Sequence, residues 1–257
     1  IAKVIDIFTQ KGGVAKTSTI VEIATVFKLR GYRVLVIDLD QQCNLSKNIG
    51  GDLTGQTIYE VMHADCSIEE AIQHLETFDL ITGSASLSKI GEEITDKDDL
   101  YILKNIVDLI KDEYDFVFID NNPGRSNLVT MTYIASDYFI IPTECDEGSK
   151  DGVVTTMQDI TMLKGKTGRK ETPHIIGYIL SRCENTNMHK IAFEDLEDLA
   201  ANSKSKIKPF VAKVRKSITV SEVKTLHSAV VMEYKGLPPA EDFVHIANEI
   251  EKRVFKK

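Results

Sequence analysis

The chain is punctuated by short runs in which nearly every residue is apolar and many are β-branched: KVIDIF (3–8), YRVLVID (32–38), FDLIT (78–82), DFVFID (115–120), YFIIPT (138–143), HIIGYIL (174–180) and KPFVAKV (208–214). A strand with one wet face alternates apolar and polar residues, so runs this continuous predict strands covered on both faces. Between them, segments 17–30, 100–113, 148–163, 190–201 and 240–255 place apolar residues at steps of three and four, the spacing of helices packed on a sheet. This alternation predicts an α/β fold built on a mostly parallel, doubly wound sheet of about seven or eight strands flanked by helices. No internal repeat, low-complexity tract or Pro/Gly-rich linker interrupts it, and residues 1–257 read as a single domain.

In an open α/β sheet, ligands bind beyond the carboxyl ends of the strands. Three runs end in chemistry: the first in QKGGVAKTS (10–18), the second in DLDQQCNLS (38–46) and the fourth in DNNPGRSN (120–127). A loop joining a strand to a helix N-terminus aims backbone N–H groups and the positive end of the helix dipole at one point, which suits a polyphosphate. Gly12 and Gly13 allow close approach of the chain, Lys16 places an ammonium against terminal phosphates, and the Thr17 hydroxyl falls where Mg²⁺ would sit. A site of this kind needs an acidic residue at the end of another strand, which Asp120 supplies. Asp38 and Asp40, two apart in extended chain, face the same way and could reach the same metal and its water. The plainer alternatives are a Gly-rich turn with a solvated lysine, and aspartates that cap turns. Ala15 stands where the standard phosphate loop G-x-x-x-x-G-K-[ST] has glycine, and if that position needs a positive φ its Cβ costs about 1 kcal/mol.

Taken together, these stretches resemble the ParA/MinD family of partitioning and positioning ATPases. QKGGVAKTS is similar to the family's deviant Walker A motif KGGxGKT[ST], VLVIDLDQQCNLS to VLLVDLDPQGNLT, FVFIDNNPG to the hydrophobic IDxPP segment, and VAKVRKSITVSEV to IPRNVRLSEA, with ParA the nearer branch. The resemblance implies a P-loop fold that binds ATP and Mg²⁺ through Lys11, Gly12, Gly13, Val14, Ala15, Lys16, Thr17 and Ser18. It implies that Lys11 crosses an ATP-dependent homodimer to the partner's nucleotide and that Lys16 is the ordinary Walker lysine. It further implies that Thr17, Asp120 and Asp38 hold or orient the metal and its water, and that Asp40 positions the attacking water. Hydrolysis would be slow alone and stimulated by a ParB-like centromere-binding partner, with the ATP dimer on non-specific DNA of the nucleoid. With no long extension ahead of the first strand, the resemblance is to the small type without an operator-binding domain. The chain departs from the family at Ala15, at Asn121 and Asn122 where a proline is usual, and at Thr219 where the family has a second arginine.

Charge bears on the partners. The formal charge of −8 argues against a protein that coats nucleic acid over its whole surface, yet residues 201–257 hold 12 Lys/Arg against 6 Asp/Glu, leaving −14 on the first 200. KSKIKPFVAKVRK (204–216) carries Lys204, Lys206, Lys208, Lys213, Arg215 and Lys216 and no acid, a candidate DNA surface whose plain alternative is a solvated rim. GKTGRK (165–170) imitates the end of a phosphate loop but follows a helical segment, and reads as a basic surface loop. The four cysteines are scattered without a C-x-x-C pair, and the six histidines show no ligand spacing. No apolar run approaches the roughly 20 residues that span a bilayer, and no signal-peptide pattern opens the chain, so the expectation is a cytoplasmic protein without a membrane partner. A MinD-like ATPase that cycles on membranes is the rival. The tail FVHIANEIEKRVFKK, with Phe243, Val244, Ala247, Ile250 and Val254, is spaced for packing on the sheet rather than for a bilayer. A weakly hydrolysing, nucleotide-gated dimer also stays open.

Overall fold

A computed structural model describes residues 1–257 except 10, 123, 125, 147, 169–171, 256 and 257. The expected runs become strands: β1 (Lys3–Ile7), β2 (Val34–Leu39), β4 (Asp79–Ile81), β5 (Phe116–Asn121), β6 (Tyr138–Glu144), β7 (His174–Cys183) and β8 (Phe210–Arg215). With β3 (Ile72–His74) they form one eight-stranded sheet in the order β3-β4-β2-β5-β1-β6-β7-β8. Every neighbouring pair is parallel except β3 with β4. β3 is a three-residue edge strand with no apolar run behind it, so periodicity gives no warning of it.

Alternate residues of the central strands feed cores on opposite faces, as pleating requires. Ile5, Ile7, Val34, Val36, Phe116 and Phe118 pack under helix α1 (Lys16–Leu29) and the C-terminal helix Pro238–Val254. Leu35, Ile37, Val117 and Ile119 point the other way, against Leu103, Ile106, Val107 and Ile110 of helix Ile102–Ile110. Further along that face, Phe8, Phe139, Ile141 and Tyr178 meet helices Ser149–Thr167 and Asn187–Ala201. Phe27 of α1 stacks on Phe116 with ring centroids 4.1 Å apart, which seats the helix over β5. On the far side, Gly177 lies opposite Phe210, whose ring fills the space a side chain would take: a Cβ would meet Phe210 Cε1 at 2.3 Å.

Two expectations need amendment, and one helix carries no sequence signal. Helix Asn127–Ala135 was not foreseen because it is buried on nearly every side and carries no amphipathic stripe. Gly165, Lys166 and Thr167 do not belong to a surface loop; they complete the last turn of helix Ser149–Thr167, which stops at Gly168 with φ 63°. The remainder of that motif, residues 169–170, lies outside the described residues. In the C-terminal helix, Phe243, Ile246, Ala247, Ile250 and Val254 are buried against α1 and β8 as the spacing implies, whereas Val244 faces solvent.

Candidate functional site

β1 lies between β5 and β6, and α1 begins directly beyond its carboxyl end. Helix α1 has no side-chain N-cap and no acidic residue in its own first turn, so its leading N–H groups are not capped by a side chain. The loop ahead of it turns through two left-handed residues, Gly13 at φ 82° and Ala15 at φ 62°. The positive φ expected at the glycine position of the motif is therefore adopted by an alanine. The loop forms one wall of a cavity of about 1220 Å³, whose far side is built from residues 181–185 after β7 and from 214–218 around the end of β8.

Lys16 is buried at the root of this cavity, and its Nζ donates to the carbonyl oxygens of Asn121 (2.8 Å) and Thr9 (3.4 Å) and to Asn121 Oδ1 (3.4 Å). Burial lowers its pKa, resisted by the carboxylates of Asp120, Asp6 and Asp40. Thr17 Oγ1 donates to Asp120 Oδ2 at 2.8 Å, which brings two hard oxygen ligands together. That donor set fits Mg²⁺, which takes few protein oxygens and keeps several waters. Asp120 is fully buried; burial pushes its pKa up to about 7, helped by the neighbouring Asp38 carboxylate and opposed by Lys16 and Thr17.

Asp38 and Asp120 are register partners on adjacent strands and so share a face of the sheet. Asp38 is already committed: its oxygens accept from Ser46 Oγ (2.6 Å), Ser46 N (3.0 Å) and Asp40 N (3.0 Å), and burial raises its pKa to about 6. It shapes the turn that carries Asp40 and acts on Asp120 through its charge. Asp40 lines the cavity, with Oδ1 accepting from Gln42 N (2.9 Å) and Oδ2 from Asn44 Nδ2 (3.3 Å).

Lys11 is exposed at the mouth, where Nζ lies 3.4 Å from Glu144 Oε2 and 3.7 Å from Asp146 Oδ2, while Arg182 takes the other oxygen of Glu144 at 3.1 Å. Neither these two acids nor Arg182 was singled out from sequence, because nothing local marks them. Asp6 was also missed, although a lone aspartate inside KVIDIF is a readable signal: the structure buries it completely, with burial raising its pKa well above the carboxylate range against the pull of Lys16.

The six basic residues of 204–216 are all exposed but do not act alike. Arg215 grips both oxygens of Asp242 (2.9 and 2.7 Å) and Lys216 meets Glu184 (2.9 Å), both at the cavity rim. Lys208 donates to the carbonyls of Ala201 and Ser203, closing the end of helix Asn187–Ala201. Lys213 lies 5.7 Å from the centre of the Phe193 ring, and Lys204 and Lys206 stand in the turn before β8.

Two outcomes follow from this geometry. Ala15→Gly removes left-handed strain, and chemical denaturation should show a gain of about 0.5–1 kcal/mol; a loss would mean that the loop is not strained there. Glu22, whose oxygens accept from Val230 N and Val231 N, is likewise raised by burial to about 7. With Asp38 and Asp120 it holds protons in the folded chain that the unfolded chain releases near pH 4. The stability such groups contribute is therefore present at low pH and lost as pH rises through 6 and 7. Denaturant titrations without nucleotide should give a folding free energy that falls from pH 5 to pH 8, by up to about 1.4 kcal/mol per pH unit for each carboxyl, with a shallower fall in Asp120→Asn. A flat or rising profile would contradict the assignment.

Comparisons with known proteins bear on the family and the fold. Residues 2–171 match a sequence family described as an AAA domain. The chain is 26% identical to the chromosome partitioning protein ParA of Caulobacter vibrioides, over 98% of this chain and 94% of that protein. Among solved structures it superimposes on a putative plasmid partition protein of Borrelia burgdorferi bound to AMPPNP, with a TM-score of 0.80 and 21% identity over 98% of this chain and 99% of that one. It also matches the septum site-determining protein MinD of Pyrococcus horikoshii complexed with Mg-ADP, with a TM-score of 0.78 and 21% identity over 99% and 98% of the two chains. A phosphate-type loop at the central strand of such a sheet, and a family match over most of its length, make this chain a member of the ParA/MinD family of P-loop ATPases.

Proposed function

We propose that the chain is a ParA-type DNA-partitioning ATPase that binds ATP and Mg²⁺ at the strand ends, dimerises in the ATP state and holds DNA without sequence preference until a ParB-like partner stimulates hydrolysis. The observation that carries this reading is the convergence of an uncapped helix N-terminus, the buried Lys16 ammonium and the Thr17–Asp120 pair on one cavity. Backbone amides of 12–18 would cradle the phosphates, with Lys16 turning from Asn121 to the terminal one. Thr17 and Asp120 would hold the metal, which supplies neutralisation of phosphate charge when bound. Asp40, at the cavity wall, would orient water, and Asp38, which accepts from the Asp40 amide, would hold the turn that carries it.

Lys11 is the residue proposed to cross the dimer. Its contacts with Glu144 and Asp146 are solvent-exposed, and exposed pairs are worth at most about 1 kcal/mol, so a partner's triphosphate outcompetes them. A chain alone lacks that second cation, which gives a physical reason for slow unaided turnover. For DNA, the support is the exposed basic segment 204–216, doubled by dimerisation. Because Arg215 and Lys216 already face carboxylates, Lys204, Lys206, Lys208 and Lys213 are the stronger candidates.

A MinD-like membrane cycle is the second reading, favoured by the MinD structural match. The seating of the C-terminal helix on α1 and β8 speaks against it, since the apolar face a membrane would take is used inside the fold. Among the described residues no helix is long and apolar enough to cross a membrane. Size-exclusion chromatography with light scattering should show one chain per particle without nucleotide, and two with ATP–Mg²⁺ that retain random duplex DNA. Lys16→Ala should stay single and free of DNA. If the unaltered chain shows no change of mass with ATP, the dimer reading fails, and retention on vesicles in place of DNA would favour the MinD-like cycle.

A further inference from the structure

The phosphate and metal roles above leave Asp6 and Asn121 without a task. A carboxyl group buried in the central strand is costly unless its oxygens are satisfied. Both oxygens of Asp6 accept from Asn121 Nδ2, each at 2.9 Å. Asn121 in turn offers its main-chain oxygen (2.8 Å) and its Oδ1 (3.4 Å) to Lys16 Nζ. One side chain thus spends its donor on Asp6 and its acceptor on Lys16. The strand register separates this relay from the metal pair: Asp120 faces with Asp38, whereas Asp6 is the partner of Ile119 and Asn121 that of Leu39, on the opposite face. Asn121 also directly follows Asp120, so it fixes the point at which the chain leaves β5.

We propose that Asp6 and Asn121 are positioning residues for phosphoryl transfer, a buried acid–amide pair that sets where the Lys16 ammonium rests and anchors the end of β5 when Lys16 turns toward phosphate. This rests on the reading of the cavity as an ATP site. Asp6 holds the Asn121 amide from below; when Lys16 leaves the two Asn121 oxygens, that hold keeps Asp120 in register with Thr17. The pair orients groups already bound, so its disruption moves the chemical step more than nucleotide affinity.

The experiment compares Asp6→Asn, Asn121→Asp and the double exchange D6N/N121D with the unaltered full chain, by basal ATP turnover, binding of a fluorescent ATP analogue and thermal melting. Asn121→Asp removes the amide donor and sets two acids face to face, and should lower kcat by about tenfold or more, with KM changed by less than about threefold. The double exchange restores one amide donating to one carboxylate, with oxygen left for Lys16, and should recover kcat to within about threefold of the unaltered chain. Asp6→Asn alone, nearly isosteric, should lower kcat with KM held, and tests the pair even if Asn121→Asp does not fold. The inference is overturned if Asp6→Asn turns over normally, or if the double exchange is folded yet no faster than Asn121→Asp. An unaltered chain that neither binds nor hydrolyses ATP would instead sink the ATP-site reading and this inference with it.

Discussion

The structure is organised around one buried cation. Lys16 sits where the ends of β1 and β5 meet the first turn of α1, out of water and held by main-chain and amide oxygens. Burial opposes an ammonium in that position, and the neighbouring Asp120, Asp6 and Asp40 favour it, while its charge in turn favours the ionised form of Asp120 and Asp6. Burial raises the pKa of Asp120 and of Asp6 against the pull of Lys16, and the first turn of α1 carries no acidic side chain of its own. A multivalent anion with its own divalent cation would resolve both imbalances, placing the phosphates at the amides and the metal at the carboxylate–hydroxyl pair.

The left-handed alanine belongs to the same account. A strained residue at the start of α1 is affordable where the loop's task is to aim amides outward, and the cost of about 1 kcal/mol is small beside the several hydrogen bonds a polyphosphate makes. The mouth shows a comparable restraint at the surface: Glu144 holds Lys11 and Arg182 together through exposed contacts worth at most about 1 kcal/mol each.

Much of this is legible in the sequence. The near-continuous apolar runs gave the parallel sheet, because burial on both faces removes alternation, and seven of the eight strands were recovered from them. The loop, Asp38, Asp40 and Asp120 stand out in the sequence because each sits at the end of such a run, where sheet topology gathers ligands. What escaped did so for physical reasons. β3 is three residues at an edge, and helix Asn127–Ala135 is buried all round. Glu144 and Arg182 reach the mouth only because β6 and β7 are neighbours, a fact of topology absent from local spacing. Asp6 was different: its charge within an apolar strand was visible, but its partner Asn121 lies 115 residues away. Lys11 shows the complementary limit, since motif and structure agree on where it stands while its proposed partner belongs to a second chain.

The central claim is that the amides of residues 11–18 and the Lys16 ammonium receive a nucleotide's phosphates. Hydrogen–deuterium exchange of the full chain, with and without ATP and Mg²⁺, measures those amides one segment at a time. The account predicts strong slowing of exchange across 11–18 and at the end of β5, dependent on the metal. Unchanged exchange in that loop at millimolar ATP, or protection confined to another part of the molecule, would contradict it.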